Sequence, residues 1–218
     1  GPLQGRGMVV VVRNKLAYLA LFSVYFPPRP TLAKHRAHYK RTVRDMVDWI
    51  AAELDLLPRS CTPVLYSDVN DGMGKVKSSE GGWKLVETSV INQDASRPEH
   101  LEGGAGEQMR LLMETHHMHA ISASRDPRPT WYSPVDHSIQ SMVDYLFVPD
   151  ALAHHTMSAG PLMQLGKALQ HVAKREIADH IPVHANFRYA LDFGTPICRA
   201  LNNEEEVRWD YDALMVGL

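Results

Sequence analysis

Two apolar segments flank the clearest helical pattern in the sequence, and this order restricts the fold more than any other feature. Residues 16–26 are rich in Leu, Tyr and Phe and run into Pro27 and Pro28, which predicts a buried strand that stops at the prolines. Residues 31–57 carry apolar side chains at spacings of three and four, which predicts an amphipathic helix. Residues 63–69 are apolar again. A helix between two buried strands indicates a mixed α/β fold with a layered sheet.

The remaining elements are predicted from shorter patterns. Residues 8–12 pair with 16–26 as a hairpin across a polar turn. We expect the other elements in this order: a long loop at 71–104, a helix at 105–121, an extended segment from 130, a strand at 142–148, a strand or helix at 168–173, and a final strand at 181–189. The domain is therefore expected at 8–189, after a tag-like or disordered start at 1–7 and before a C-terminal extension at 190–218.

Composition excludes several classes of protein. The 218 residues are 44% hydrophobic with a formal net charge of -2, so neither wholesale disorder nor binding of nucleic acid by bulk positive charge is indicated. No apolar run approaches the ~20 residues of a membrane span, and no membrane partner is expected. Cys61 and Cys198 are too few for a disulfide framework, which favours an intracellular location, nuclear or cytoplasmic.

Polar residues stand at the ends of several predicted strands. Asp68 and Asn70 are two apart, so in an extended segment their side chains point to the same side. Asp144 interrupts an apolar strand, and a buried carboxylate needs a partner, a metal or a raised pKa. Carboxylates beside His180 would suit metal-assisted phosphoryl chemistry. Taken singly, each residue also fits a turn, a helix cap or a satisfied core position, as does Tyr25.

Five short motifs, in order, resemble those of the endonuclease/exonuclease/phosphatase family. These metal-dependent nucleases and phosphatases include abasic-site endonucleases and the nucleases of LINE-type retrotransposons. The resemblance covers about residues 8–187. The matching motifs are Tyr25-Phe26-Pro27, Ser67-Asp68-Val69-Asn70, Thr130-Trp131, Val143-Asp144-Tyr145 and Ala178-Asp179-His180-Ile181-Pro182-Val183.

The resemblance implies a role for each matched residue. Tyr25 would contact the scissile phosphate, Asp68 would position or deprotonate the attacking water, and Asn70 would hold a phosphate oxygen.

The same resemblance implies a paired histidine and a metal ligand. Asp144 would fix the tautomer of His180, which would bind or protonate the phosphoryl oxygen. Asp179 would be a ligand of Mg²⁺ or Mn²⁺, because both ions prefer oxygen ligands.

The sequence departs from the family pattern at its start. The family carries a strand ending in Asn and a metal-binding Glu upstream of the first motif, whereas the 24 residues before Tyr25 contain Asn14 but neither Glu nor Asp. The implied fold is a two-sheet β-sandwich core flanked by helices and incomplete at the N-terminus. Such a sandwich would expose a sheet edge and an apolar face, so we expect a homodimer or a completing partner chain.

Three hypotheses about function follow. The first is metal-dependent hydrolysis of phosphodiesters in nucleic acid by an endonuclease-type chain, with DNA as the expected substrate. A retrotransposon is one conceivable origin of such a chain. The second is a catalytically inactive remnant of the same fold that acts as a binding or assembly module. The third is a phosphatase that acts on a small phosphate ester, since a small substrate needs no extended basic groove.

Overall fold

A computed structural model describes residues 5–13, 17–77, 83–85, 88–90, 104–136, 138–166 and 179–188. The strands are β1 (Gly7–Arg13), β2 (Tyr18–Tyr25), β3 (Thr62–Asp68), β4 (Lys75–Lys77), β5 (Trp83–Leu85), β6 (Met118–Ala120), β7 (Trp131–Tyr132), β8 (Gln140–Ser141), β9 (Asp144–Pro149), β10 (Thr156–Pro161) and β11 (Val183–Phe187). The α-helices are α1 (Arg36–Leu56), α2 (Gly104–Thr115), α3 (Ile121–Arg125), α4 (Asp150–Ala153) and α5 (Met163–Gly166), and a 3₁₀ turn at Ala33–His35 precedes α1.

The central layer is a five-stranded sheet in the order β1-β2-β3-β9-β6. The predicted hairpin is present, because β1 and β2 pair antiparallel from Gly7–Val24 to Arg13–Tyr18. The strand β1 thus begins within the range predicted to be a tag-like start. β2 and β3 are parallel neighbours, and α1 is the crossover between them.

One face of the central sheet packs against α1 and α2. The predicted apolar side of the first helix is the side that is buried, because its residues lie in the same core cluster as the inward side chains of β2 and β9. The buried residues of α1 are Tyr39, Thr42, Val43, Met46, Ile50 and Leu54. The helix itself begins at Arg36 rather than at 31, since the 3₁₀ turn takes its first residues.

The opposite face is covered in part by a second, antiparallel sheet of β10 and β11. A smaller core joins Val64 and Leu146 of the central sheet to Ala159 of β10 and Val183 of β11. Helices on one face and a second sheet on the other confirm the predicted mixed α/β architecture with a two-sheet core. No helix in the described part of the chain has the length and apolar character of a membrane span.

Some sequence-based boundaries were wrong. The helix predicted at 105–121 ends at Thr115, because His117 adopts a positive φ of 51° and the chain then enters β6. The loop predicted at 71–104 contains the two-stranded sheet β4-β5. The strand β10 was missed, since Thr156–Pro161 shows little alternation of polar and apolar residues. The element predicted at 168–173 and the extension at 190–218 lie outside the described residues.

Candidate active site

Pairing across the central sheet places three predicted site residues in one row. Tyr25, the last residue of β2, pairs with Asp68, the last residue of β3. Asp68 in turn pairs with Asp144, the first residue of β9. The row forms because parallel strands end at the same edge of a sheet and β9, running the other way, starts there. Residues that are far apart in sequence therefore meet at one edge.

His180 reaches this edge from the loop before β11. It forms an isolated antiparallel bridge with Trp131. Two backbone hydrogen bonds hold the segment, from the N–H of Ile181 to the carbonyl of Thr130 (2.7 Å) and from the N–H of Tyr132 to the carbonyl of Asp179 (2.9 Å). The Thr-Trp segment that the sequence singled out thus acts as the support of the histidine.

The Thr130 side chain also fixes the start of β9. It is fully buried, and its Oγ1 accepts hydrogen bonds from the N–H groups of Val143 (3.1 Å) and Asp144 (3.0 Å). One residue therefore ties the strand that carries Asp144 to the loop that carries His180. Sequence reasoning gave Thr130 no role of its own, and its polar and proline-rich surroundings give no local signal of a buried acceptor.

Asp144 and His180 form a pair. The Nδ1 of His180 lies 3.1 Å from Oδ2 and 3.4 Å from Oδ1 of Asp144. Because an ionised carboxylate only accepts, Nδ1 carries the proton of this hydrogen bond, and Nε2 takes no part in the pair. This hydrogen bond, which outweighs the effect of burial, raises the pKa of His180. An imidazole held in this way can donate a proton or a hydrogen bond near neutral pH.

Asp68 is suited to accept a proton. Burial, and next the negative charge of Asp144, raise its pKa from 3.8 to about 6, against the opposing effects of His180 and the backbone N–H of Asn70. A carboxylate with this pKa is ionised at neutral pH and is more basic than an ordinary aspartate. It meets the pKa requirement of a general base.

The same cluster has the donors for a divalent cation. Asp68, Asp144 and His180 each offer one ligand atom, and these atoms lie within 4.8 Å of one another. The like charges of the two carboxylates, which burial makes costly, would be offset by a cation, and carboxylate oxygens suit Mg²⁺ or Mn²⁺. Asp179 is not part of this cluster, although it borders the same cavity and its Oδ1 accepts from the N–H of His180 (3.0 Å). Its role as a metal ligand remains a prediction.

Tyr25 lies on an open cavity of about 1090 Å³. The cavity also borders Asp68, Asp144 and His180, so the predicted residues share one accessible space. Tyr25 is 44% exposed, and the guanidinium of Arg6 lies 5.4 Å from the centre of its ring. Arg6 is a further cationic group of the cavity wall that sequence reasoning missed, because it falls within the segment that was set aside as tag-like.

Asn70 does not extend the strand as predicted. β3 ends at Asp68, and Asn70 has a positive φ of 51°, so the two side chains are not on one side of an extended segment. The N–H of Asn70 donates to Oδ1 of Asp68 (2.9 Å), and its Nδ2 donates to the carbonyl of Phe26 (2.8 Å). The amide therefore joins the ends of β2 and β3, and a contact with phosphate stays a prediction.

Asp71, which follows this turn, anchors it to α2. Its Oδ2 accepts from the first N–H groups of the helix, those of Ala105 (3.3 Å) and Gly106 (3.4 Å). The helix also comes so close to the turn that a Cβ on Gly106 would lie 2.0 Å from the carbonyl oxygen of Gly72. The turn that positions Asp68 is therefore packed rigidly against the helix layer.

No protein-family model and no curated protein matches the sequence. The structure is similar to the 3' phosphatase NExo from Neisseria bound to product DNA hairpin, with 13% identity, a TM-score of 0.55, and coverage of 86% of this chain and 68% of that one. It is similar to the 3'-5' exonuclease NExo from Neisseria meningitidis at 13% identity and TM-score 0.55, covering 84% of this chain and 65% of that one.

A third similar structure is the AP endonuclease LMAP from Leishmania major, at 14% identity and TM-score 0.55. It covers 85% of this chain, which spans 55% of the length of LMAP. Likeness at these identities concerns the fold, and it agrees across an exonuclease, a 3' phosphatase and an AP endonuclease. The described part of the chain therefore has the fold of the endonuclease/exonuclease/phosphatase family, which the five sequence motifs predicted.

Proposed function

We propose that this chain hydrolyses phosphate esters of nucleic acid, with a divalent cation, at the edge of the central sheet. The observation that carries the proposal is the row of Tyr25, Asp68 and Asp144 on one open cavity, with His180 paired to Asp144. A base, an orienting carboxylate and an imidazole around one space are the groups that phosphoryl transfer to water requires.

The residues divide the proton chemistry between them. Asp68 accepts a proton from the attacking water, whose oxygen forms the new bond to phosphorus while the ester P–O bond breaks. His180 donates from Nε2 to a phosphoryl oxygen, and the hydrogen bond from Nδ1 to Asp144 keeps the ring in the required orientation. The leaving oxygen takes its proton from solvent. Tyr25, which lines the same cavity, donates a hydrogen bond from its hydroxyl to the phosphate.

The proposed cofactor is Mg²⁺ or Mn²⁺, held by carboxylates of this cavity. Asp68 and Asp144 belong to the cluster with suitable donor atoms, and the sequence motif adds Asp179. A bound cation supplies charge neutralisation for the phosphate.

The proposed substrate is DNA, and the support comes from similar structures. One of them is a 3' phosphatase bound to a DNA hairpin, and others are a 3'-5' exonuclease and an AP endonuclease. The activities of these proteins suggest three substrates: a DNA hairpin with a 3' phosphate, a duplex with an abasic site, and a single-stranded 3' end. Supercoiled plasmid serves as the general test of endonuclease activity.

The test compares the chain with His180→Ala and Asp68→Asn on these four substrates, with Mg²⁺, with Mn²⁺ and with EDTA. We expect cleavage of at least one substrate with a cation, none with EDTA, and a loss of at least about 100-fold in each variant, as for a removed acid or base. Matched controls are His154→Ala and Asp48→Asn, because both residues are exposed and away from the cavity.

Two results would contradict the proposal. Binding of DNA without cleavage by the wild-type chain would favour a binding module with this fold. Hydrolysis of p-nitrophenyl phosphate, but of none of the four nucleic acids, would favour a phosphatase for small esters.

A further inference from the structure

Arg6 contacts Tyr25 through both its backbone and its side chain. The N–H of Tyr25 donates a hydrogen bond to the carbonyl of Arg6 (2.8 Å). The guanidinium of Arg6 lies over the ring of Tyr25, with its Cζ 5.4 Å from the ring centre. Both residues border the cavity of the candidate active site. The contact therefore lies at the end of the row formed by Tyr25, Asp68 and Asp144.

The guanidinium of Arg6 has the ring of Tyr25 as its partner. Its Nη1 is buried and makes no hydrogen bond with any residue that the structure describes. A buried cationic donor without an acceptor costs free energy, which a contact with the electron-rich face of an aromatic ring offsets in part. Because such contacts are stronger where water is excluded, the burial of Nη1 strengthens the contact with Tyr25.

Tyr25 in turn needs a neighbour that holds its ring. It is the last residue of β2 and is 44% exposed, and exposed side chains change rotamer within nanoseconds unless a contact holds them. A ring held against a guanidinium keeps its hydroxyl in one direction. The cation also draws electron density from the ring, which makes the hydroxyl a stronger hydrogen-bond donor. Both effects favour a hydrogen bond from Tyr25 to an anion in the cavity.

The other end of the same hairpin repeats this arrangement away from the cavity. Arg13 pairs with Tyr18, and the Cζ of Arg13 lies 5.2 Å from the centre of the Tyr18 ring. At about 3.3 Å per residue, Arg13 is roughly 23 Å along the strand from Arg6. Neither Arg13 nor Tyr18 borders the cavity. This second contact has the same chemistry without access to the site, so it provides a matched control.

We propose that Arg6 is a positioning residue of the candidate active site, an inference that rests on the proposed function. Its guanidinium holds the ring of Tyr25 so that the hydroxyl is directed at the phosphate of the substrate. Arg6 acts through Tyr25 and not by a contact of its own with the phosphate, because its guanidinium lies over the ring and its Nη1 is buried.

The first test is a double-mutant cycle on whichever of the four nucleic acids the wild type cleaves. Arg6→Gln should lower kcat/KM by about 5- to 30-fold, the worth of a cation–π contact shielded from water. Tyr25→Phe keeps the ring and removes the hydroxyl, so the further change Arg6→Gln in that background should lower kcat/KM by less than about twofold.

Two more variants separate position from charge. Arg6→Lys can place an ammonium over the ring but lacks the planar guanidinium, so its kcat/KM should lie between those of Arg6→Gln and the wild type. Arg13→Gln removes the same charge at the other end of β1, and its kcat/KM should stay within about twofold of the wild type. Circular dichroism verifies that each variant is folded.

A second measurement needs no cleavage. The chain is labelled with 3-fluorotyrosine, and the ¹⁹F signals of Tyr25 and Tyr18 are assigned by their loss in Tyr25→Phe and Tyr18→Phe. Arg6→Gln should move the Tyr25 signal alone, and Arg13→Gln the Tyr18 signal alone, because the ¹⁹F shift responds to a charge beside the ring. Inorganic phosphate with Mg²⁺ should also move the Tyr25 signal, and the phosphate concentration at half of this change should rise about 5- to 30-fold in Arg6→Gln.

Three results would overturn the proposal. An equal loss from Arg6→Gln in the wild-type and Tyr25→Phe backgrounds would show that Arg6 contacts the phosphate itself. A Tyr25 signal that Arg6→Gln does not move would show that the guanidinium does not hold the ring. The third result is a phosphate titration that leaves the Tyr25 signal of the wild type unchanged or has the same midpoint in Arg6→Gln. If the wild type cleaves no substrate, the proposed function fails, and the NMR measurements alone decide the role of Arg6.

Discussion

Replacement of Thr130 by valine tests the link between the two halves of the candidate site. Valine keeps the shape of threonine but removes Oγ1, the acceptor of the N–H groups of Val143 and Asp144. Thr130 is fully buried and Val143 is 8% exposed, so water has little access to replace the lost acceptor. The single substitution therefore leaves two backbone N–H groups without an acceptor.

The magnitude can be worked from these two contacts. A buried donor without an acceptor costs about 1–3 kcal/mol, so we expect the free energy of unfolding of Thr130→Val to fall by about 3 kcal/mol. In urea this lowers the midpoint by roughly 1 M, at an m-value of about 2–3 kcal/mol/M. The matched variant Thr130→Ser keeps the oxygen and loses a methyl group, which costs about 1 kcal/mol.

Urea unfolding followed by far-UV circular dichroism measures both variants. If Thr130→Val is as stable as Thr130→Ser within about 0.5 kcal/mol, the assignment of Oγ1 as a structural acceptor is refuted. If the proposed function holds, Asp144 also shifts relative to His180, and cleavage by Thr130→Val falls by roughly 10- to 100-fold under conditions where the variant is folded.

Three further predictions concern the same region. Gly106→Ala should destabilise the protein by about 3 kcal/mol, because the new Cβ would lie 2.0 Å from the carbonyl oxygen of Gly72. Gly104→Ala is the control, since its Cβ would meet nothing closer than 3.9 Å, and it should change stability by less than about 1 kcal/mol. Thermal melts measure both variants. Asp68→Asn should stabilise the fold at pH 7 by about 1–2 kcal/mol, after allowance for solvent screening. The pKa of Asp68 is raised from 3.8 to about 6 in the folded state, so the free energy of unfolding of the wild type should fall as pH rises from about 4 to 6, whereas that of Asp68→Asn should not. Urea unfolding of both proteins at pH 4 and pH 7 measures this. If the stability difference between wild type and variant is the same at both pH values, the raised pKa of Asp68 is refuted. Cleavage by the wild type should fall at acidic pH as Asp68 becomes protonated, and the fall should lie below the pKa of about 6 that Asp68 has without a cation, because a bound cation favours the ionised carboxylate. A rate that does not fall at acidic pH, in protein that circular dichroism shows to be folded, would remove Asp68 as the base.

The order of elements and the position of the site residues at strand ends could be predicted, because both depend on local pattern. The prolines after Tyr25, the apolar side of α1 and the interruption of an apolar strand by Asp144 are visible in the sequence, and strand pairing then brings Asp68 and Asp144 together. The pairing of Asp144 with His180 was expected only from the resemblance to the family motifs, because the local sequence does not indicate which distant segments come into contact.

Other features could not be predicted because tertiary contacts decide them. The left-handed turn at Asn70 depends on the carbonyl of Phe26, which belongs to another strand. The early end of α2 depends on His117 and on the pairing of the residues after it with β9. Arg6 was missed because composition at the start of the chain suggested a tag, whereas its backbone and side chain both contact Tyr25.

The parallel pairing of β2 with β3 has a consequence for the order of folding. The hydrogen bond from Asn70 to Phe26 closes a loop of 44 residues, and the contact between Asp144 and His180 closes another of 36 residues. Loops of this length must close before their contacts give any stability, and chains dominated by such contacts fold slowly. The hairpin β1-β2 and helix α1 can form early, since their contacts are local. The site is then completed in the last kinetic phase, so during refolding we expect helical ellipticity to return before cleavage does.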